Sequence, residues 1–200
     1  MIEAKIRAHS GQFHLAAEVN GSGTICVAGK NGAGKTTLLR TMAGFLKIDE
    51  GQVLVRGQNV TRLPVEKRGI VLVTPGSAFQ HLDVDSHLVW GRKLGKRIQE
   101  DQVSKVKSEL GIDFGGRVGK LSLGMRERVS LATALLAEPK AILVDEAFAS
   151  LHNREEFITA YARLLVGANI DLVFSSQEAA DGKLADILYL IDEGVTSAGN

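Results

Sequence analysis

Several features are scarce in this sequence, and each scarcity excludes something. Its 24 basic and 23 acidic residues give a formal net charge of +1, so the composition does not favour a nucleic-acid partner. One cysteine, Cys26, cannot form an internal disulfide, which fits a reducing compartment. Because Cys26 lies within an apolar run, we expect a small buried residue there rather than a thiol nucleophile.

Long apolar runs are also missing. The longest, at 129–137, is well short of the roughly 18–20 residues that span a bilayer. Residues 1–5 lack the apolar core of a secretory signal. We therefore expect a soluble chain whose membrane role, if it has one, comes through a partner. The 200 residues suffice for one well-buried core and are too few for two full-sized domains.

Strand-type and helix-type segments alternate along most of the chain, which predicts a mostly parallel sheet with helices on both faces. The expected strands are 2–8, 13–19, 24–28, 53–55, 69–73, 141–144, 171–174 and 186–191. The expected helices are 36–46, 85–110 with a break at Gly95, 122–137 and 153–166. The first two strands predict an antiparallel β subdomain. Residues 85–120 have no strand pattern and predict a helical subdomain.

The most informative segment is 29–36, which fits the phosphate-binding pattern G-x-x-x-x-G-K-[ST] at every fixed position. An apolar strand enters it and a helix-forming run leaves it, so backbone N–H groups and a helix N-terminus surround one point. Lys35 supplies a charge for the β- and γ-phosphates, and the Thr36 hydroxyl is a ligand for Mg²⁺. The chain is therefore expected to bind a nucleoside triphosphate. The residues expected to contact it are Gly29, Lys30, Asn31, Gly32, Ala33, Gly34, Lys35, Thr36 and Thr37.

A second chemical feature is the apolar strand 141–144 that ends in Asp145 and Glu146. Parallel strands present ligand-binding residues at their carboxyl ends, where the phosphate loop also lies. Asp145 is then expected to hold Mg²⁺ through water, and Glu146 to orient and deprotonate the attacking water. The alternative is a helix-capping aspartate beside a solvated glutamate, and the phosphate loop favours the functional interpretation.

Residues 121–135 follow the pattern of the ABC signature L-S-G-G-Q and its helix, at the expected distance before Asp145. Over its whole length the chain resembles the nucleotide-binding subunit of an ATP-binding cassette (ABC) transporter. The resemblance implies an α/β phosphate-loop NTPase fold of the ABC-cassette type in a single domain, 1–200. An ATPase core at 1–75 and 139–200 and a helical subdomain at about 76–138 are expected. In the family two cassettes clamp two ATP molecules head to tail, and here Ser122 and Gly124 match the positions that contact the partner's ATP.

Two further segments narrow the resemblance. Residues 59–70 and 79–84 are similar to segments of importer cassettes for molybdate, tungstate, sulfate and sugars. Phe13 stands where those cassettes often place an aromatic ring against adenine, although such a ring is more often core. The resemblance implies ATP and Mg²⁺ as ligands, and a second cassette (homo- or heterodimer) and integral membrane permease subunits as partners. It also implies a cytoplasmic chain, peripheral on the inner face of the membrane, that hydrolyses ATP to import a small solute such as an inorganic anion.

The sequence departs from the family's pattern at four places. They are Pro75 where a glutamine is expected (Gln80 lies too far along), Leu123 and Met125 in the signature, His152 in place of an aspartate, and Ser176 beside Gln177 in place of a switch histidine. Because Lys35 and Glu146 are retained, we expect weak rather than absent ATPase activity. The alternative is a degenerate cassette that binds ATP as a switch or heterodimer partner with little turnover. A third hypothesis is an ABC-type ATPase acting on soluble partners.

Overall fold

The computed structural model describes residues 1–90 and 100–199 and shows one sheet with helices on both faces. Its strands are β1 (Ile2–Ser10), β2 (Phe13–Gly21), β3 (Thr24–Ala28), β4 (Glu50–Val55), β5 (Gln58–Asn59), β6 (Ile70–Val73), β7 (Ala141–Val144), β8 (Asp171–Ser176), β9 (Ile187–Asp192) and β10 (Val195–Ala198). Its helices are α1 (Lys35–Ala43), α2 (Val84–Leu88), α3 (Glu100–Glu109), α4 (Leu123–Leu136) and α5 (Arg154–Gly167). The strand order is β5-β4-β1-β2-β10-β9-β3-β8-β7-β6.

Half of the sheet is parallel, as the alternating pattern predicts. Strands β9, β3, β8, β7 and β6 run in one direction, and helices connect most of them. Because all five strands end at the same edge, the segments that follow β3, β7 and β8 are brought together there. This edge holds the phosphate loop and the acidic pair.

The other half of the sheet is antiparallel. Strand β1 pairs with β2 on one side and with β4 on the other, which confirms the predicted N-terminal β hairpin. The two halves join where the β9–β10 hairpin lies against β2, through a parallel pairing of Val195 with Ala16. The sequence gives no sign of this junction, because it depends on a contact between the two ends of the chain.

The core has two layers, one on each face of the parallel strands. Ile25 and Val27 pack with Leu38 and Leu39 of α1, while Cys26 faces the layer that contains α4 and α5. This alternation follows from the two-residue period of a strand. Burial raises the pKa of the Cys26 thiol to about 12, which agrees with the expectation of an unreactive buried residue.

Two of the expected helices differ from those observed. The helix expected at 36–46 ends at Ala43, because Gly44 adopts a left-handed conformation with φ of 93° and its N–H bonds back to Arg40 and Thr41. The helix expected at 85–110 is two separate helices, α2 and α3, and its expected break at Gly95 lies outside the described residues. The helices expected at 122–137 and 153–166 are confirmed as α4 and α5. In the described ranges no helix has both the length and the apolarity that a bilayer crossing requires.

A buried arginine fastens α1 to the segment that enters β6. The Arg68 side chain donates through Nη1 to Met42 O (3.1 Å), through Nη2 to Thr61 O (2.7 Å) and through Nε to Leu63 O (3.0 Å). Burial lowers the pKa of its guanidinium. The carbonyl of Met42 belongs to the last turn of α1, where a positive charge is favourable.

Candidate nucleotide-binding site

The loop between β3 and α1 is held tightly against neighbouring strands. The Gly29 N–H donates to Ser176 O at the end of β8 (3.0 Å). A Cβ at Gly29 would lie 2.3 Å from Ile191 O, so this position has no room for a side chain. Gly34 has φ of 110°, and a Cβ there would lie 2.7 Å from Cζ of Phe13. Glycine is therefore required at 29 because the backbone of Ile191 approaches closely, and at 34 because the backbone has a positive φ.

Helix α1 leaves its first N–H groups free for an anion. It begins at Lys35 with no side-chain cap at Gly34, and the first intrahelical bond runs from Leu38 N to Gly34 O (2.8 Å). The N–H groups at 34–37 thus have no acceptor within the helix. Together with the helix dipole they form a concave, positive site of the kind that binds phosphate.

The Lys35 side chain lies within the loop that its own residue closes. Its ammonium donates to Gly29 O at 2.6 Å and to Lys30 O at 2.9 Å, and the residue is only 4% exposed. An ammonium group has three donors, so one remains after these two bonds. The structure therefore places a positive charge inside the loop that the sequence predicts to hold phosphates.

The acidic pair follows β7 at the same edge of the sheet. The Asp145 N–H donates to Val73 O (2.8 Å), and the residue is 5% exposed. Glu146 has a left-handed backbone with φ of 57°, a conformation that costs about 1–3 kcal/mol in a residue other than glycine. Ser175 of β8 contacts both: the Glu146 N–H donates to its Oγ (3.0 Å), and that hydroxyl donates to Asp145 Oδ1 (2.9 Å).

The oxygen ligands at this edge fit Mg²⁺. Thr36 is exposed on the first turn of α1, which follows β3, and the buried Asp145 follows β7, with β8 lying between these two strands. Within residues 1–90 and 100–199 there is no cluster of three or more His, Cys, Asp and Glu side chains that could hold a metal by themselves. Mg²⁺ in nucleotide sites is commonly held by one or two protein oxygens together with phosphate and water, so a hydroxyl and one carboxylate are a suitable set.

A cleft of about 450 Å³ opens beside the phosphate loop. Its lining comprises Gln12, Phe13, His14, Lys30, Asn31, Gly32, Ala33, Asp192 and Glu193. The half-buried Phe13 ring lies against Gly34, and the β9–β10 hairpin closes the other side through a hydrogen bond from Gly194 N to Ala33 O (2.8 Å). The structure thus puts the expected aromatic ring at the edge of a cleft next to the phosphate site. Contact of this ring with a base remains a prediction.

The signature residues lie at the start of α4. Ser122 caps the helix by accepting a hydrogen bond from Met125 N (3.3 Å). A Cβ at Gly124 would lie 3.0 Å from Ser150 O, whereas the Leu123 side chain is 47% exposed. Ser122 and Gly124 do not line the cleft beside the phosphate loop in the described part of the chain. Their role toward a partner's nucleotide remains a prediction.

The segment after β8 differs from the expected switch. The hydroxyl of Ser176 is hydrogen-bonded to Asp181 Oδ2 and accepts from Glu178 N (3.0 Å). Asp181 also accepts from Arg154 Nη2 (2.6 Å), so Ser176 belongs to a buried ionic network. Gln177 is exposed, and so is His152. Sequence reasoning missed this network because the partners come from α5 and from a turn after β8.

The loop after β6 contains Thr74 and Pro75, where the family's glutamine is expected. The hydroxyl of Thr74 lies 3.1 Å from that of Ser77. The Gly76 N–H donates to Glu127 Oε1 (3.3 Å), and Glu127 is only 1% exposed. Burial raises the pKa of the Glu127 carboxyl. The buried side chain of Glu127 on α4 therefore holds the loop that has Pro75 where a glutamine is expected.

The fold and the site define a phosphate-loop nucleotide-binding protein. The chain belongs to the ABC transporter family, whose model matches residues 14–149, and the predicted membership is thereby confirmed. It is 35% identical over 175 residues to the sulfate/thiosulfate import ATP-binding protein CysA of Mycolicibacterium paratuberculosis (strain ATCC BAA-968 / K-10), which covers 83% of this chain and 48% of that protein. It is 33% identical over 217 aligned positions to the molybdenum import ATP-binding protein ModC of Rhodobacter capsulatus, covering 100% of this chain and 58% of the relative.

Solved structures confirm the predicted fold class. The cbiO1 protein of Clostridium perfringens, part of the ABC transporter complex cbiONQ, superimposes with a TM-score of 0.82 at 22% identity. The match covers 98% of this chain and 86% of that one. At this identity the likeness concerns the fold alone. The chain spans about half the length of the curated relatives it matches.

Proposed function

We propose that this chain is the ATP-binding and ATP-hydrolysing subunit that energises an ABC membrane importer. The observation that carries the proposal is the arrangement at one sheet edge of an uncapped helix N-terminus, the buried Lys35 ammonium and the pair Asp145 and Glu146. Residues 1–75 and 139–200 form the ATPase core in this proposal, and 76–138 form the helical subdomain with the signature.

The residues at this edge divide the work between them. The free N–H groups at 34–37 and the remaining Lys35 donor bind the triphosphate oxygens, where charge accumulates during phosphoryl transfer. Thr36 and Asp145 hold Mg²⁺, which neutralises phosphate charge when it is bound. Glu146 orients a water molecule and accepts its proton. Phe13 packs against the adenine.

The proposed partners follow from the family and from the relatives. Relatives named for the import of sulfate and of molybdenum support a small inorganic anion as the solute. In this proposal a second cassette offers its signature to the bound ATP, and this chain offers Ser122 and Gly124 in return. Integral membrane permease subunits bind the dimer, which places the chain at the cytoplasmic face of the membrane.

Phosphate release by the purified chain tests the enzymatic part. Glu146→Gln removes the base and leaves the side-chain size unchanged, so turnover is expected to fall on the order of 10²–10⁴-fold. Glu66→Gln, at an exposed position far along the chain from the acidic pair, serves as the matched control and is expected to behave as wild type. A wild-type rate no higher than that of Glu146→Gln contradicts hydrolysis by this chain.

A degenerate cassette with little turnover is the second candidate, and two observations favour it. The exposed Leu123 adds a side chain where the family's signature has glycine, and Ser176 at the switch position is engaged with Asp181. Size-exclusion chromatography of Glu146→Gln with and without Mg-ATP discriminates the candidates together with the phosphate assay. An ATP-driven dimer combined with negligible wild-type turnover would establish the degenerate cassette and reject the ATP-hydrolysing subunit.

A further inference from the structure

One serine lies between the two carboxylate residues and is not explained by the phosphate-loop pattern. The Ser175 hydroxyl is 3.0 Å from Glu146 N and 2.9 Å from Asp145 Oδ1, and both Ser175 and Asp145 are 5% exposed. It reaches them because β8 lies beside β7 in register, with Val144 opposite Phe174. Ser175 is therefore one residue beyond the last paired residues of β7 and β8, at the level of Asp145.

The chemistry of the partners fixes the direction of both hydrogen bonds. A backbone N–H can only donate, so the Ser175 oxygen accepts from Glu146. Its single proton is then available for Asp145 Oδ1, and an ionised carboxylate can only accept. One hydroxyl thus orients the Asp145 carboxylate and also anchors the left-handed backbone of Glu146.

We propose that Ser175 is a positioning residue of the ATPase site, acting on the metal through Asp145 and on the attacking water through Glu146. This inference rests on the proposed function. Asp145 Oδ1 is held by the serine, which leaves the second carboxylate oxygen and the remaining lone pair for the Mg²⁺ coordination shell. Such partners of a metal-ligating carboxylate fix its orientation, and their loss typically costs about 10–100-fold in metal affinity or activity.

Ser176, the next residue, does different work. Its hydroxyl binds Asp181 and Glu178 N, and its carbonyl accepts from Gly29 N. Ser175 and Ser176 therefore point their hydroxyls to different partners, as successive residues of a strand do. Of these two serines, only Ser175 donates or accepts a side-chain hydrogen bond with Asp145 or Glu146 in the described residues.

The test uses the full chain with Ser175→Ala, Ser175→Thr and, as the matched control, Ser197→Ala on the exposed face of β10. The first readout is Mn²⁺ affinity in the presence of a non-hydrolysable ATP analogue, measured by electron paramagnetic resonance. The second is analogue affinity in EDTA, measured by calorimetry. The third is the phosphate-release rate at saturating Mg²⁺.

We expect Ser175→Ala to weaken Mn²⁺ binding by about 10–100-fold while metal-free nucleotide affinity stays within about threefold of wild type. Ser175→Thr keeps the hydroxyl, and Ser175 borders a cavity of about 180 Å³ together with Glu146 and Ser176. The threonine variant is therefore expected to recover most of the Mn²⁺ affinity. A merely structural serine would lower both affinities together and would not be restored selectively for the metal.

Two results overturn the inference. One is Mn²⁺ affinity of Ser175→Ala within about threefold of wild type, and the other is a threonine variant no better than alanine although thermal unfolding shows that both are folded. Should alanine fail to fold, Ser175→Cys keeps the size and supplies only a weak donor, so its Mn²⁺ affinity is compared with that of threonine in the same way. If the wild-type chain binds Mn²⁺ and nucleotide normally but releases no phosphate, the ATPase proposal is rejected separately. The Mn²⁺ comparison still stands in that case, because it needs no hydrolysis.

Discussion

Replacing Arg68 by methionine tests how α1 is fixed behind the phosphate loop. Methionine replaces the aliphatic stem of arginine and has no donors, so Arg68→Met leaves three carbonyl oxygens without their partner. Only the bond to Met42 O is fully buried, and its loss is expected to cost about 1–3 kcal/mol. The acceptors at 61 and 63 are partly buried and can bind water, so each is expected to cost about 0.5–1.5 kcal/mol.

The sum is reduced because the wild-type guanidinium is itself desolvated, as the lowered pKa of Arg68 shows. We therefore expect a net loss of about 1–4 kcal/mol in the free energy of unfolding. In a chain of this size that corresponds to a fall in Tm of roughly 2–16 °C. Urea unfolding followed by circular dichroism measures the loss in the free energy of unfolding.

The control is Arg62→Met, which removes an exposed arginine six positions earlier and is expected to change stability by no more than about 0.5 kcal/mol. Arg68→Lys retains the positive charge but not the planar fork of donors, and its stability should fall between those of Arg68→Met and wild type. If Arg68→Met has the stability and m-value of Arg62→Met, the three hydrogen bonds do not hold α1 in the way described.

Three further predictions concern single residues. Gly34→Ala combines a φ of 110° with a Cβ 2.7 Å from the Phe13 ring, so calorimetry should show at least about tenfold weaker ATP binding, whereas Gly57→Ala, with open space around it, should bind as wild type. Glu127→Gln keeps the acceptor for Gly76 and removes a carboxyl whose pKa burial raises above 4.5. Between the unfolded and the folded pKa of this carboxyl, the folded wild type holds a proton that the unfolded chain has lost, so the stability of wild type falls as the pH rises through that interval. The Tm of Glu127→Gln relative to wild type should therefore increase from pH 4 to pH 8. A Tm difference that does not change with pH contradicts this prediction. Cys26, whose burial raises the pKa of its thiol to about 12, should react with a thiol reagent only in urea, and rapid labelling of the native chain would be inconsistent with its position in the core.

The phosphate loop and the acidic pair could be placed from sequence because their chemistry is local. The spacing of Gly29, Gly34 and Lys35 along the chain already implies the turn, and a buried strand that ends in Asp145 implies the edge of a parallel sheet. The structure agrees because a strand, a tight turn and a helix leave the backbone little freedom at these positions.

Contacts between distant segments could not be predicted in the same way. Ser175 meets Asp145 only because β8 pairs with β7, and Arg68 finds acceptors on α1 and in its own loop. The early end of α1 was missed for another reason: the left-handed conformation of Gly44 ends the helix although Phe45 and Leu46 continue its apolar pattern.

The most direct test of the central claim is calorimetric titration of Mg-ATP into the purified chain, its Lys35→Ala variant and a control, Lys47→Ala, at an exposed position after α1. Wild type and control are expected to bind saturably with equal affinity. Lys35→Ala loses a charged hydrogen-bond donor inside the loop, so it should bind at least about tenfold more weakly. No binding by the wild type, or equal binding by Lys35→Ala, would contradict a nucleotide site at the β3–α1 loop.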